Sequence, residues 1–190
     1  SGRIIHKGNT PLPHGRGHAY ALHMSEIWNV AQEGPAVAAA VVVQLACFAG
    51  FGFLLARQDI ATHRLPNRLI AYWLAASTVV IVLLGILRSD AHGVLMGLLG
   101  LLLLGGGYLL ITLISAGAMG MGDVKLAGVL GLNLGYYSVP GLFFATVLTF
   151  VLATCWVIGG MAVRKLTLKS AVPFGPFMLV GALAVLLMAP

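Results

Sequence analysis

The stretch VLMGLLGLLLLGGGYLLITLISA, Val94 to Ala116, contains no charged residue. A run of about 20 apolar residues spans a bilayer as a helix, which satisfies its own backbone hydrogen bonds where no water is present. Comparable runs flank it. Ala36–Ala56 follows the Gly34-Pro35 entry, Leu69–Leu87 comes next, and Val139–Val163 lies beyond. Two shorter runs, Val124–Tyr137 and Phe174–Ala189, complete a set of six predicted membrane helices; five helices and a half-span is the alternative. At 59% hydrophobic and 8% charged residues, the 190-residue chain is too apolar for one soluble core. The expected fold class is an all-α polytopic membrane protein with six transmembrane helices.

Lys and Arg favour the cytoplasmic loops of membrane proteins. Beyond residue 23 the basic residues are Arg57, Arg64, Arg68, Arg88, Lys125, Arg164, Lys165 and Lys169. If the first span enters from outside, all except Arg88 fall on the cytoplasmic side. Arg57–Arg68, Gly117–Lys125 and Arg164–Pro173 then lie inside and both termini outside, an asymmetry that five helices would break. Ser1 to His23 has no period and no continuous apolar core, and it ends at His23-Met24. It reads as an appended disordered tail, with residues 24–190 as one domain. Arg3, Lys7 and Arg16 in that tail inflate the net charge of +6, which therefore does not point to nucleic acid. Cys47 and Cys155 sit inside apolar runs without a CxxC and read as small buried hydrophobes. The GxxxG spacings at Gly93/Gly97 and Gly131/Gly135 read as helix-packing seams.

The acidic residues are few: Glu26, Glu33, Asp59, Asp90 and Asp123. Glu26 and Glu33 precede the first span and are expected to be solvated, and Asp90 lies in the polar RSDAH connection. Asp59 and Asp123 remain, both at the cytoplasmic end of predicted spans. Ionisable groups at a membrane edge are costly unless paired or hydrated. Each taken alone reads equally well as an interfacial carboxylate paired with a base, Arg57 or Arg64 for Asp59 and Lys125 for Asp123. Their surroundings suggest more. Asp59 opens DIATHRLPN, in which Pro66-Asn67 is a turn signal. Asp123 ends GMGD, where Gly120 and Gly122 lack a Cβ and leave room for another backbone, such as an extended peptide. Two carboxylates meeting at one water form an aspartic-protease pair. They share a proton, so that one acts as base on water and the other polarises the scissile carbonyl.

These residues carry a family resemblance. GMGD, Gly120 to Asp123, resembles the GxGD motif of intramembrane-type aspartyl proteases. DIATHRLPN, Asp59 to Asn67, resembles the first-aspartate motif of type IV prepilin peptidases. PFGPF, Pro173 to Phe177, is similar to the Pro-Phe-Gly-Pro motif before that family's last helix. The resemblance implies a six-helix aspartyl peptidase of the cell inner or plasma membrane that removes the short cytoplasmic leader from prepilins or prepilin-like proteins. It implies Asp59 and Asp123 as the catalytic pair, with Gly120 and Gly122 shaping the second loop and Pro66 and Asn67 the first. Lys125 either donates to the pair or meets a lipid phosphate. Pro173, Phe174, Gly175 and Pro176 form either a rigid turn near the substrate path or a plain helix-entry turn. The expected partners are a prepilin, with its leader and hydrophobic N-terminal helix, and membrane lipid.

Paired CxxC motifs, which mark the methylating members of the family, do not occur in the sequence. The chain looks like the short, peptidase-only form associated with Flp/Tad-type pili or archaeal-like systems. Neither methyltransferase activity nor a metal or other cofactor is expected. Presenilin and signal peptide peptidase relatives share GxGD but pair it with Tyr-Asp and Pro-Ala-Leu. Here Gln58 precedes Asp59, and Pro-Ala occurs only at Pro35-Ala36. No HExxH is present, and His63 reads as a solvated loop residue. The non-enzymatic alternative is a small transporter, channel or assembly scaffold with two interfacial carboxylates.

Overall fold

Proline, glycine and left-handed residues divide the apolar chain into helices. The computed structural model describes residues 26–115, 119–163 and 173–188. Among them the regular elements are α1 (Glu26–Ala31), α2 (Pro35–Thr62), α3 (Asn67–Arg88), α4 (Ala91–Ile114), α5 (Met121–Tyr137), α6 (Val139–Ala162) and α7 (Gly175–Met188). The expected tail, residues 1–23, lies outside the described residues, as do Gly117, Arg164, Lys165 and Lys169.

Pro35 starts α2, where its missing N–H costs nothing. The helix then continues past the expected end at Ala56 to Thr62, so Asp59 stands on a helix rather than in a loop. His63 ends it in the left-handed conformation, with φ 51°. Pro66 precedes α3, and its carbonyl accepts from the N–H of Leu69 at 3.1 Å. Asp123 is likewise on the first turn of a helix, α5, and not in the loop expected for Gly117–Lys125.

Four helices, α2, α3, α4 and α6, are long and apolar enough to cross a membrane. The expected spans Val124–Tyr137 and Phe174–Ala189 correspond to α5 and α7, which are shorter at 17 and 14 residues. For α5 the reason lies in its position. From Val124 to Tyr136 every residue except Lys125 is buried. A helix enclosed by other helices presents no face to lipid, so it need not be uniformly apolar.

The α4–α5 contact explains how α5 reaches the centre. Gly100 of α4 faces Gly131 and Gly135 of α5, and a Cβ on Gly100 would stand 2.9 Å from the Gly135 Cα. Further along, a Cβ on Gly105 would stand 3.1 Å from the Gly128 Cα. Lipid tails are as apolar as leucine, so association rests on such close packing. The Gly131/Gly135 seam is therefore used as expected, with Gly100 completing it.

At the opposite end from Asp59 and Asp123, Arg88 gathers the polar groups. It bonds both carboxylate oxygens of Glu33 at 2.7 Å, Asp90 at 3.0 Å and the Tyr136 hydroxyl at 3.1 Å. Glu33 is therefore ion-paired, not merely solvated, and the Arg88 bonds hold its carboxyl below the usual carboxylate range. Asp90 is a helix cap: its carboxylate accepts from the Gly93 N–H at 2.8 Å.

Gly131→Ala should lower stability by about 1–3 kcal/mol, because the added methyl meets the Gly100 backbone. Gly159→Ala, at a helical position with nothing within 4 Å, should leave stability unchanged or slightly raised. Thermal unfolding of the two variants in detergent checks both.

Candidate active site

Asp59 is 5% exposed, and a carboxylate so enclosed needs donors from the protein. Its Oδ2 accepts from the backbone N–H of Gly175 at 2.9 Å. Gly175 is the first residue of α7, where N–H groups have no partner within the helix and the helix dipole favours negative charge. A Cβ there would stand 2.8 Å from the same oxygen, so any larger residue would push the carboxyl aside. The Pro173–Phe177 segment thus does more than enter a helix. Its glycine holds one of the two carboxylates.

Asp123 is half-buried at the start of α5, and its N–H donates to the Gly120 carbonyl at 3.0 Å. Gly175 of α7 meets Asp59 on α2, and the start of α5 meets the turn that follows α2, so the ends of the three helices adjoin. Gly122 allows that convergence. A Cβ on it would stand 2.9 Å from the Leu65 Cβ, in the turn between α2 and α3. The space that the sequence reading assigns to an approaching peptide is filled at Gly122 by the protein's own turn. Gly120 is less constrained, its added Cβ standing 3.5 Å from Asp123 Oδ2.

Lys125 does not reach the carboxylates. Its Nζ donates to Asn67 Oδ1 at 2.8 Å, tying α5 to the start of α3 at the exposed rim. Among the described residues the ion pairs are those of Arg88, so Asp59 and Asp123 are not paired with Arg57, Arg64 or Lys125. Among the described residues, the three ion pairs expected for these carboxylates are therefore not formed. His63 is exposed at the end of α2.

Phe174 packs its ring 5.4 Å from Phe150 and 6.4 Å from Tyr108. Tyr108 is buried on α4 and backs the segment that holds Asp59. The sequence reading passed over Tyr108; the one signal was a lone phenol in an otherwise Leu- and Gly-rich run.

Two recesses border this region. An apolar groove of about 620 Å³ runs between α3, α4 and α5, past Leu74, Leu101, Gly105 and Val124, to Asn67 and Lys125. A polar recess of about 720 Å³ lies on Gln58, Thr62, Arg64 and Pro66. Asn67 lines both. Two carboxyl groups on adjoining helix ends, one of them held by an amide, are of the type that serves as acid and base.

No curated protein and no solved structure matches the chain. The model of the type IV leader peptidase family matches residues 46–163, a stretch that holds both aspartates and ends before Pro173. A membrane chain of apolar helices with that match over more than half its length belongs to the type IV leader peptidase family.

Proposed function

We propose that the protein is a membrane aspartyl endopeptidase that cleaves the short cytoplasmic leader from type IV, Flp/Tad-like prepilins or prepilin-like proteins. Asp59 and Asp123 activate the attacking water. The observation that supports this reading is the packing of three helix ends around the two aspartates, with the α7 amide on Asp59, Gly122 of α5 against Leu65, and neither carboxylate ion-paired with Arg57, Arg64 or Lys125.

The reaction follows from the charges. Repulsion between the two carboxylates leaves one proton shared by the pair. The ionised member takes a proton from water as the oxygen attacks the scissile carbonyl, and the protonated member hydrogen-bonds the developing oxyanion. The proton then passes to the leaving amine. The Gly175 N–H keeps the Asp59 carboxyl in one orientation throughout.

Topology supports the same reading. Arg57, Arg64, Arg68 and Lys125 gather at the end of the bundle where the pair lies, and Arg88 lies at the other. By the bias of basic residues to the inside, the pair faces the cytoplasm, with α5 and α7 completing six crossings and both termini outside. The apolar groove suits the hydrophobic helix of a prepilin, and the polar recess beside it suits the leader.

Asp59→Asn and Asp123→Asn should each insert in the membrane and lose prepilin cleavage by about three orders of magnitude or more. An in vitro leader-cleavage assay on purified protein decides this. Retained cleavage in either variant overturns the mechanism, and altered ion flux with intact cleavage would favour the transporter reading. Gly175→Ala should lower kcat by about tenfold or more with little change in KM, because its methyl displaces the Asp59 carboxyl. The kcat/KM profile should be bell-shaped in pH, falling at low pH as the base protonates and at high pH as the pair loses its shared proton.

A further inference from the structure

A chain of polar side chains lies well away from the aspartates. Gln44 on α2, Ser77 on α3 and Asn133 on α5 are each 1% exposed. Gln44 Nε2 donates to Asn133 Oδ1 at 3.0 Å. Asn133 Nδ2 donates to Ser77 Oγ at 3.0 Å and to the Val129 carbonyl at 2.8 Å. The Tyr137 hydroxyl donates to Gln44 Oε1. Both amide oxygens and both protons of the Asn133 amide are thus engaged.

Asparagine and glutamine inside a membrane bundle are costly unless their bonds are met. What they supply here follows from the helices they join. Gln44 stands about four turns from Asp59 along α2, and Asn133 about three turns from Asp123 along α5. The backbones of α2 and α5 make no broad contact with each other; each packs mainly on other helices. The glycine seam locks α5 to α4, so it leaves the height of that pair against α2 to other contacts. A slide of one turn displaces Asp123 by about 5.4 Å relative to Asp59. It also breaks the bonds of the polar chain that cross from α5 to α2 and α3, while the Asn133 bond to the Val129 carbonyl, within α5, moves with the helix. A buried asparagine sets helix register in coiled coils by the same penalty.

We infer that Gln44 and Asn133, with Ser77, are positioning residues that set the axial register of α5 against α2 and thereby the height of Asp123 relative to Asp59. The catalytic consequence rests on the aspartate-pair reading; the register itself does not, and the test separates the two.

The register is read by crosslinking. In a Cys47→Ala, Cys155→Ala background, Asp59→Cys and Asp123→Cys are joined by a short bifunctional thiol reagent in membranes. Adding Gln44→Met or Asn133→Leu, which keep side-chain volume and remove the bonds, should lower the crosslinked yield by about tenfold. The reciprocal exchange, Gln44→Asn with Asn133→Gln, should restore much of it. Gln44→Asn alone shortens the amide yet keeps it polar; it should lower the yield too and serves if the apolar variants fail to insert. Unchanged yield in an inserted variant overturns the inference.

The same Gln44 and Asn133 substitutions with the aspartates intact should lower kcat more than they raise KM. They should also narrow the bell of the pH profile, because carboxylates further apart repel less and their two apparent pKa values draw together. A general loss of stability would not move that width. Lost crosslinking with full cleavage would overturn the aspartate-pair reading and leave the register inference standing.

Discussion

Glycine-to-glycine contact between α4 and α5 is the constraint on which the rest of this bundle depends. Gly100 meets Gly131 and Gly135 with no room for a side chain on either surface. In lipid, where apolar side chains gain nothing by leaving the solvent, such contact is the available driving force for association. It draws α5 into the interior, and the other helices close around it. An interior helix is released from the demand that every face be apolar. It therefore carries Asn133 in the bundle core and Asp123 at its edge, residues that a lipid-facing helix of this size could not hold.

The site is assembled from helix ends. α2 brings Asp59 on its last turn, α5 brings Asp123 on its first, and α7 begins with the amide that binds Asp59. Helix termini are the natural place for such a site in a membrane, because their free N–H groups and dipoles treat charge more favourably than mid-helix backbone does. Gly122 against Leu65, and Lys125 on Asn67, then hold the start of α5 to the turn between α2 and α3. Neither contact involves a carboxylate, yet both bear on where one of them stands.

Much of this was legible in the residues. The apolar runs foretold the helices and their order, and the scarcity of acid left Asp59 and Asp123 as a pair by elimination. GMGD, DIATHRLPN and PFGPF marked the three segments that meet. Other features were misread for identifiable reasons. Asp59 was expected in a loop because hydropathy falls after Ala56, yet helical hydrogen bonding carries on to His63. Glu33 was expected in solvent because its partner, Arg88, lies 55 residues away. Gln44, Asn133 and Tyr108 were passed over, since single polar residues in apolar runs have no local pattern.

The sequence by itself determined the elements: a series of apolar helices, the turns between them, the membrane as their solvent and the family to which the motifs point. These are local properties, set by the residues of one segment and the cost of exposing a peptide group to lipid. The tertiary structure alone decided which helix stands at the centre, that Gly175 binds Asp59, that Lys125 reaches Asn67 instead of a carboxylate, and that a buried amide pair joins α2 to α5. Each of these depends on atoms far apart in the chain meeting at hydrogen-bond or van der Waals distance. No window of sequence encodes such a distance, because it is set by how whole helices pack.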